Sequence, residues 1–299
     1  MEKLNYEEFV TLLMEELDKR YPDMKKTVKE MVKINEKKQG IMIDCTSRIC
    51  ATIYPENLYE VYKMVFEEPN FMDIVLESVD SALQYEFLKE YKRMLYTWDE
   101  VKPYVKPFVF NLIKNCDFIE ATQIVFKEKL NLAYGCYIDF PEDELGGTAQ
   151  VNVSQYLLEL WKISEEELFA AAESNATYCI KSMKETIEEI IQDKSGVEVN
   201  LGERSMLYVI STPKRHRGAA GMFRTEILEK HAQEIGDSFY ILPSSMHEVI
   251  LVKEEDAPSV ETLRDMVQEV NETQVMIEEY LSDSIYYYDR KTKEVEIVG

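Results

Sequence analysis

The apolar residues of the first twenty positions follow the spacing of an amphipathic helix. They lie at Tyr6, Phe9, Leu13 and Leu17. Asn5 and Glu8 have the spacing of a capping box, in which each side chain bonds to the backbone N–H of the other residue. The pattern therefore predicts a helix that runs to about Lys19.

Two short apolar stretches predict a β-hairpin after this helix. Residues 28–34 and 41–45 have strand-like composition, and Gly40 is the expected turn between them. Helical spacing returns over residues 57–96, with an interruption at Pro69. The first hundred residues thus predict helices and one hairpin.

The middle of the chain predicts a second hairpin followed by capped helices. Residues 130–140 are dense in apolar and aromatic side chains, which favours a buried strand, and residues 148–153 alternate as its returning partner. Ser164 and Ser182 each stand three residues before a glutamate, the spacing of a capping box. Each serine therefore marks the predicted start of a helix.

The last third predicts strands interleaved with helices. Strand-like stretches occur at residues 206–211, 239–242, 248–252, 286–288 and 295–298. A basic turn and a short strand are expected before a helix over residues 225–235, which Gly236 ends. Ser259 is the expected cap of a further helix.

These patterns together predict an α+β fold. The N-terminal and middle parts are rich in helix and carry β-hairpins, and a compact C-terminal α+β module follows with an antiparallel sheet. Pro103 and Pro107 prevent a continuous helix, so a boundary is expected near residue 100. We expect three modules, residues 1–100, 101–196 and 197–299.

The charge composition argues against two classes of partner. The 299 residues include 57 acidic and 34 basic ones, which gives a formal net charge of −23. Such a chain repels phosphate backbones and anionic lipid, so direct binding to nucleic acid or to a membrane is disfavoured. The charge either keeps the protein soluble or forms a surface that imitates DNA, and composition leaves both interpretations open.

The cysteines and the N-terminal residues indicate a reducing compartment. Five cysteines are spread along the chain without a CxxC pair, which indicates neither a disulfide framework nor a thiolate zinc site. The first residues lack the cationic and apolar regions of a signal peptide, and no apolar run reaches the length of a bilayer. We expect a cytoplasmic protein with no metal and no cofactor.

One loop combines hydroxyls, an imidazole and a carboxylate. Its side chains are Ser244, Ser245, His247 and Glu248. A zinc-peptidase motif is not formed, because Leu251 stands where the second histidine is needed. The four residues are weak candidates for nucleophilic catalysis, which requires the imidazole to reach a hydroxyl. The alternative is a turn between two strands in which the serines bond to the backbone.

A concentrated basic turn precedes four small residues. Lys214, Arg215, His216 and Arg217 form the turn, and residues 218–221 are small enough for the backbone to approach a phosphate or carboxylate. The segment lacks the lysine and the glycine spacing of known phosphate-binding loops. It is either an anion site or a solvated hairpin tip.

Several segments, in one order, resemble a known family. They include LELWKISEEELFAAAESN, FYILPSSMHEVILV and LSDSIYYYDR. Over residues 100–299 the chain is similar to the domain of unknown function 5688, an uncharacterised family from Gram-positive gut anaerobes and their mobile elements. The resemblance implies an α+β fold and a bacterial, phage or mobile-element origin, and it supplies no catalytic residues. The matching positions are Gly218, Ala219, Pro243, Ser244, Ser245, His247, Glu248, Asn271, Leu281, Ser282, Asp283, Tyr288 and Asp289.

Three functions are consistent with these observations. The first, which we favour, is a non-enzymatic intracellular module that binds another protein. Its expected binding side chains are Arg215, Arg217, Gly218, Asp283, Tyr288 and Arg290. The second is a small-molecule hydrolase that uses Ser244 or Ser245 with His247. The third is an acidic decoy that mimics DNA and occupies a DNA-binding protein.

Overall fold

The computed structural model describes residues 3–43, 51–83, 91, 93–141, 149–196 and 207–299. The chain forms two compact units, Met1–Thr97 and Trp98–Gly299. Both units combine helices with antiparallel sheet, so the predicted α+β fold is confirmed. The division into three modules stays a prediction.

The first unit combines helices with a three-stranded antiparallel sheet. Its described helices are α1 (Tyr6–Arg20), α2 (Pro55–Val65) and α3 (Phe71–Leu83), and its strands are β1 (Lys26–Lys33), β2 (Glu36–Ile43) and β3 (Ala51–Ile53), in the order β1-β2-β3. Asn5 and Glu8 form the complete capping box, and Phe9, Leu13 and Leu17 are fully buried. The helix predicted from the N-terminal pattern is confirmed.

The turn of the first hairpin is at Asn35, and the prediction of a turn at Gly40 is wrong. Asn35 has a φ of 62°, a left-handed conformation that asparagine tolerates better than most residues. Gly40 lies inside β2, where an added Cβ would be 2.7 Å from both Met31 Cγ and Thr52 Cγ2. This glycine therefore allows close packing between strands, which a sequence pattern does not distinguish from a turn.

The helical pattern predicted for residues 57–96 is present as α2 and α3, which are separated around Pro69. Residues 84–90 and 92 lie outside the described residues, as do residues 44–50 at the predicted end of the first hairpin.

The second unit contains two antiparallel sheets. The strands of the first are β4 (Val105–Asn111), β5 (Phe126–Lys129), β6 (Leu132–Asp139) and β7 (Gln150–Asn152), in the order β4-β6-β5 with β7 also paired to β6. The strands of the second are β8 (Cys179–Ser182), β9 (Leu207–Ser211), β10 (Phe239–Pro243), β11 (Val249–Lys253), β12 (Tyr286–Asp289) and β13 (Glu294–Ile297), in the order β13-β12-β10-β11-β9-β8. The second sheet therefore includes residues from both sides of position 197.

The helices of the second unit are mostly short. They are α4 (Trp98–Val101), α5 (Cys116–Thr122), α6 (Gln155–Trp161), α7 (Glu165–Asn175), α8 (Met183–Ser195), α9 (Thr225–Ile235) and α10 (Val260–Thr273), with 3₁₀ helices at Lys102–Tyr104, Gly218–Phe223, Glu254–Asp256 and Ile277–Glu279. α9 has the predicted bounds and Gly236 ends it with a φ of 78°. Ser259 caps α10 as predicted.

Local patterns predicted the hairpin of the middle segment correctly. The strand expected at residues 130–140 is β6, buried over nearly its whole length, and β7 is its antiparallel partner. The capping box at the start of α8 is complete. At α7, Ser164 accepts a hydrogen bond from the Glu167 N–H, but the Glu167 carboxylate accepts one from Trp98 Nε1 at 2.8 Å.

The 3₁₀ helix Gly218–Phe223 replaces the short strand predicted after the basic turn. It packs against β9 and β11 of one sheet and against β4 of the other. An added Cβ on Gly221 would lie 2.5 Å from Ile210 Cγ2, and one on Gly218 would lie 2.5 Å from the Thr212 N atom. The small residues thus serve close packing between the two sheets, and the prediction of a strand is wrong.

Three general features concern the described part of the chain alone. Cys116, Cys136 and Cys179 are free thiols, of which Cys136 is buried. Within the described ranges, no three His, Cys, Asp or Glu side chains are grouped to hold a metal ion. No helix in these ranges has the length and apolar character needed to cross a membrane.

Candidate ligand-binding cleft and basic turn

A cleft of about 710 Å³ opens in the second unit beside the basic turn. Strands β4, β6 and β7 provide one wall, and the segments that follow α7 and β9 provide the other. The lining residues are Lys106, Pro107, Tyr137, Asp139, Gln150, Asn175, Ala176, Thr177, Tyr178, Thr212, Pro213, Lys214 and His216. A concave site of this size is typical of small-molecule binding.

Among the lining residues that the structure describes, Asp139 is the single carboxylate, and the protein already neutralises it. Asp139 Oδ2 accepts a hydrogen bond from Lys106 Nζ at 2.7 Å, and Asp139 Oδ1 accepts one from Gln150 Nε2 at 3.0 Å. Burial opposes ionisation of Asp139, but these two hydrogen bonds outweigh it and hold its pKa below the ordinary value. Asp139 is therefore ionised and paired at neutral pH.

His216 is a neutral imidazole in the wall of the cleft. Burial, together with the nearby charges of Arg217 and His247, lowers its pKa to about 4. Its Nδ1 atom lies 3.4 Å from Gln150 Nε2. An amide nitrogen is a donor, so this contact assigns the proton of the ring to Nε2. No hydrogen bond to Nε2 occurs within the part of the chain that the structure describes.

The backbone of the basic turn is fixed by Thr212. Its hydroxyl donates to the His216 carbonyl at 3.0 Å and accepts from the His216 N–H at 3.1 Å. Arg215 and Arg217 have φ values of 52° and 51°, the left-handed conformation that tight turns require. The turn therefore presents Lys214 and His216 to the cleft in a defined arrangement.

Arg217 is enclosed by protein and does not reach the cleft as a ligand group. Its guanidinium carbon lies 4.4 Å from the ring centroids of both Phe108 and Tyr137, and Nη1 donates to Asn152 Oδ1 at 2.9 Å. Burial lowers its pKa to about 10, so the side chain is still a cation at neutral pH. The basic turn is thus not simply solvated, because one of its four side chains packs against two aromatic rings.

The loop between β10 and β11 supports this turn. The His247 carbonyl accepts hydrogen bonds from the Gly218 N–H at 2.9 Å and from Ser211 Oγ at 2.8 Å. Ser245 Oγ accepts from the His247 N–H at 3.0 Å. The predicted turn with a serine bonded to the backbone is therefore present.

Both ring nitrogens of His247 are engaged. Nδ1 accepts from the Arg217 N–H at 3.0 Å, and Nε2 lies 3.3 Å from Glu279 Oε1. Burial lowers the pKa of His247, while Glu279 opposes that shift. Because neither nitrogen faces Ser245 Oγ, these contacts do not form the pair of nucleophile and base that a hydrolase needs.

Three candidates of this region remain. Ser244 is half-buried directly after β10 and does not line the cleft. Arg215 and Glu248 lie beside the cleft. Arg215 Nη2 forms an ion pair with Asp193 Oδ2 at 2.5 Å. Glu248 is half-buried, and burial raises its pKa against the opposing charge of Arg215. Neither side chain lines the 710 Å³ cleft.

The candidates at the end of the chain lie apart from the cleft. Tyr288 is fully buried, and its ring centroid is 5.0 Å from that of Phe239. Arg290 Nη1 donates to the Gly236 carbonyl at 2.5 Å. Asp283 Oδ1 accepts a hydrogen bond from Asn271 Nδ2 at 2.7 Å. Tyr288 therefore belongs to the core of the C-terminal sheet, Asp283 is bonded to α10, and the exposed Arg290 is bonded to the residue that ends α9.

Comparison with known proteins agrees with the resemblance noted above. A family model described as "Family of unknown function (DUF5688)" matches residues 6–290. The chain belongs to this family. The match extends into the first unit, beyond the residues 100–299 in which the similar segments lie. Neither a curated protein nor a solved structure matches the chain.

Several positions that resemble the family have structural roles in this member. The Leu281 carbonyl accepts a hydrogen bond from Asn111 Nδ2 at 2.9 Å, and the Ser282 carbonyl accepts one from Asn271 Nδ2 at 3.0 Å. Ser282 Oγ accepts from the Ser284 N–H at 3.0 Å. The side chains of Asn271 and Ser282 are thus engaged within the second unit, whereas Leu281 contributes its backbone carbonyl.

Most of the cleft lining was not singled out from the sequence. Lys106, Tyr137 and Gln150 lie on three different strands, and folding alone brings them to His216. The sequence signal that did point here is the basic turn, of which Lys214 and His216 line the cleft.

Proposed function

We propose that this family member is a non-enzymatic binding protein whose cleft holds a small organic anion. The observation that carries the proposal is the balance of charge in the lining. The lining residues that the structure describes include two lysines, Lys106 and Lys214, and one carboxylate, Asp139, whose ion-pair partner is Lys106. In a chain of net charge −23, this local surplus of positive charge favours an anionic ligand.

The shape of the lining suggests the rest of the ligand. Tyr137, Tyr178, Pro107 and Pro213 give the walls flat apolar surfaces. Burial raises the pKa of Tyr137 and of Tyr178, so both hydroxyls stay protonated. A planar ring that carries a carboxylate or phosphate would match these surfaces, with the Nε2–H of His216 as an additional donor.

The hydrogen bonds that nearby side chains form with other protein groups support binding without catalysis. The hydroxyl proton of Thr212 is used in a bond to the His216 carbonyl, and both ring nitrogens of His247 have partners. General-base catalysis requires a basic nitrogen within reach of a nucleophile. The cytoplasmic location and the DNA-mimic hypothesis stay predictions.

A titration with phenyl phosphate and with benzoate, observed by ligand NMR, tests the proposal. For fragments of this size we expect a Kd of roughly 1 mM for at least one probe. Lys214→Glu should weaken that binding at least about tenfold, which corresponds to about 1.4 kcal/mol. Lys291→Glu is the matched control, because Lys291 is an exposed lysine outside the cleft and its replacement changes the net charge equally.

Three results would overturn the proposal. The first is no saturable binding of either probe up to about 20 mM. The second is an equal loss of affinity in both lysine variants, which would indicate a general effect of charge. The third is release of phenol from phenyl phosphate by the purified protein, because turnover contradicts a non-enzymatic role.

A further inference from the structure

Large apolar side chains are concentrated on the exposed surface at the end of α10. The exposed fractions are 52% for Met266, 42% for Val270, 63% for Met276 and 69% for Ile277. These four residues fall within twelve positions of the sequence. Single exposed apolar residues are common, but a cluster of this kind usually marks a contact site.

The geometry of α10 places an apolar band beside an acidic row. Leu263 and Val267 form the buried face of the helix. At about 100° per residue, Met266 and Val270 lie next to that face. At the same rotation Glu269 lies about 60° from Met266, and Asp265 and Glu272 lie further round the helix, opposite the buried face. These three acids form no ion pair within the described ranges.

Two more exposed apolar residues follow α10 along the chain. The N–H groups of Gln274 and Val275 both bond to the Val270 carbonyl, at 2.9 and 3.2 Å, so the chain turns directly at the end of the helix. Met276 and Ile277 follow this turn. We call the set Met266, Val270, Met276 and Ile277, with Asp265, Glu269 and Glu272, the α10 surface.

The α10 surface is held in place by the second unit. The Met246 N–H donates to the Glu279 carbonyl at 2.8 Å, which ties the 3₁₀ helix Ile277–Glu279 to the loop between β10 and β11. Asn271 Nδ2 bonds to the Ser282 carbonyl at 3.0 Å on the other side. The surface is therefore formed before any partner binds, which reduces the entropy cost of association.

We propose that the α10 surface docks a basic amphipathic helix of another protein. The apolar band matches the apolar face of such a helix, and the acidic row matches lysine or arginine at its edge. Methionine suits this role because its flexible side chain adapts to different apolar surfaces. This surface does not include the binding side chains predicted from the sequence, of which Asp283 is bonded to Asn271.

Charge favours such a partner over a second copy of this chain. Two copies would bring like-charged acidic rows together, and each copy carries a net charge of −23. Repulsion of this kind opposes self-association. A partner with the opposite charge gains from the same field in its rate of association.

The test uses a fluorescent model helix of leucine and lysine, with a leucine–glutamate helix as the negative probe, measured by fluorescence anisotropy. The lysine helix should bind the intact protein with a Kd of roughly 1–10 μM. Glu269→Lys with Glu272→Lys should weaken binding at least about tenfold. The matched control is Glu67→Lys with Glu159→Lys, which changes the net charge equally at exposed acids elsewhere.

The apolar part of the proposal is tested separately. Met276→Ser with Ile277→Ser should weaken binding at least about fivefold, whereas Met64→Ser should leave it unchanged, although Met64 is 81% exposed. Three outcomes would overturn the proposal. They are equal losses in the acidic-site and control variants, no effect of the serine replacements, and self-association of the protein that competes with the probe.

Discussion

Removal of the Arg217 side chain is the sharpest test of how the second unit is held together. The guanidinium contacts Phe108 and Tyr137, each at 4.4 Å to the ring centroid, and bonds to Asn152 Oδ1 at 2.9 Å. Phe108 and Asn152 belong to one sheet, while the Arg217 N–H bonds to His247 beside the other. Arg217→Ala therefore breaks contacts at the border between the two sheets.

The expected loss follows from two opposing contributions. Each desolvated contact of a cation with an aromatic ring is worth about 1–2 kcal/mol, and a hydrogen bond from a charged group about 1.5–3 kcal/mol. The cost of burying the cation, which the lowered pKa reflects, offsets part of this sum. We expect Arg217→Ala to lower the free energy of unfolding by about 2–3 kcal/mol.

Urea unfolding monitored by tryptophan fluorescence measures this loss of stability in the second unit. The two tryptophans of the chain, Trp98 and Trp161, both lie in the second unit with ring centroids 5.3 Å apart. The free energy of unfolding in water follows from linear extrapolation to zero urea. If the slope of this free energy against urea is the same in both proteins, the substitution has changed stability alone. The first unit does not contribute to this signal.

Two variants decide between explanations of the result. Arg217→Met keeps an apolar stem without the charge, so a gain in stability would mean that the cost of burying the cation exceeds the ring contacts. Arg290→Ala removes an exposed arginine from the same unit and should cost less than about 1 kcal/mol. The reasoning is refuted if Arg217→Ala costs no more than Arg290→Ala.

Two further predictions concern the same unit. Gly218→Ala should destabilise the second unit by about 2 kcal/mol or more, because the new Cβ would lie 2.5 Å from the Thr212 N atom and 2.6 Å from Ser211 Cα. An unchanged urea midpoint would contradict this close packing. Burial lowers the pKa of His231 to about 4 from its ordinary value near 6.5, with Glu234 opposing the shift. The unfolded state therefore binds a proton at His231 before the folded state does as the pH falls. The free energy of unfolding decreases between pH 6.5 and about 4, and the loss is about 1–2 kcal/mol by pH 5. His231→Phe keeps a ring beside Tyr208 and Phe239. It should reduce the difference in stability between pH 7 and pH 5 by about 1–2 kcal/mol, while the contribution of His216 remains. An equal difference in both proteins would exclude this role of His231.

Periodicity and capping predicted most of the elements, because both are local. The bounds of α9, the buried strand β6 and the cap at Ser259 follow from residues within one turn or one strand. The errors arose where a glycine could mark either a turn or a place of close packing. Gly40 and Gly218 both permit close packing, and the atoms they approach come from other elements.

Only part of the candidate site could be predicted from the sequence, because most of its residues come together through contacts between distant segments. The basic turn is a local feature, but Tyr137 and Asp139 reach it through the pairing of β6 with its neighbours. The loop with Ser245 and His247 contained reactive side chains, yet their hydrogen bonds are directed to the backbone and to Glu279. Residue types alone do not reveal which of their atoms are already engaged.

The location of both tryptophans in the unit that contains the cleft has a practical consequence for identifying a natural ligand. A compound that occupies the cleft stabilises this unit by mass action, by about 2.7 kcal/mol at a hundred times its Kd. The tryptophan transition would then move to higher urea. Metabolite mixtures could thus be screened by a fluorescence midpoint, without any assumption about a reaction.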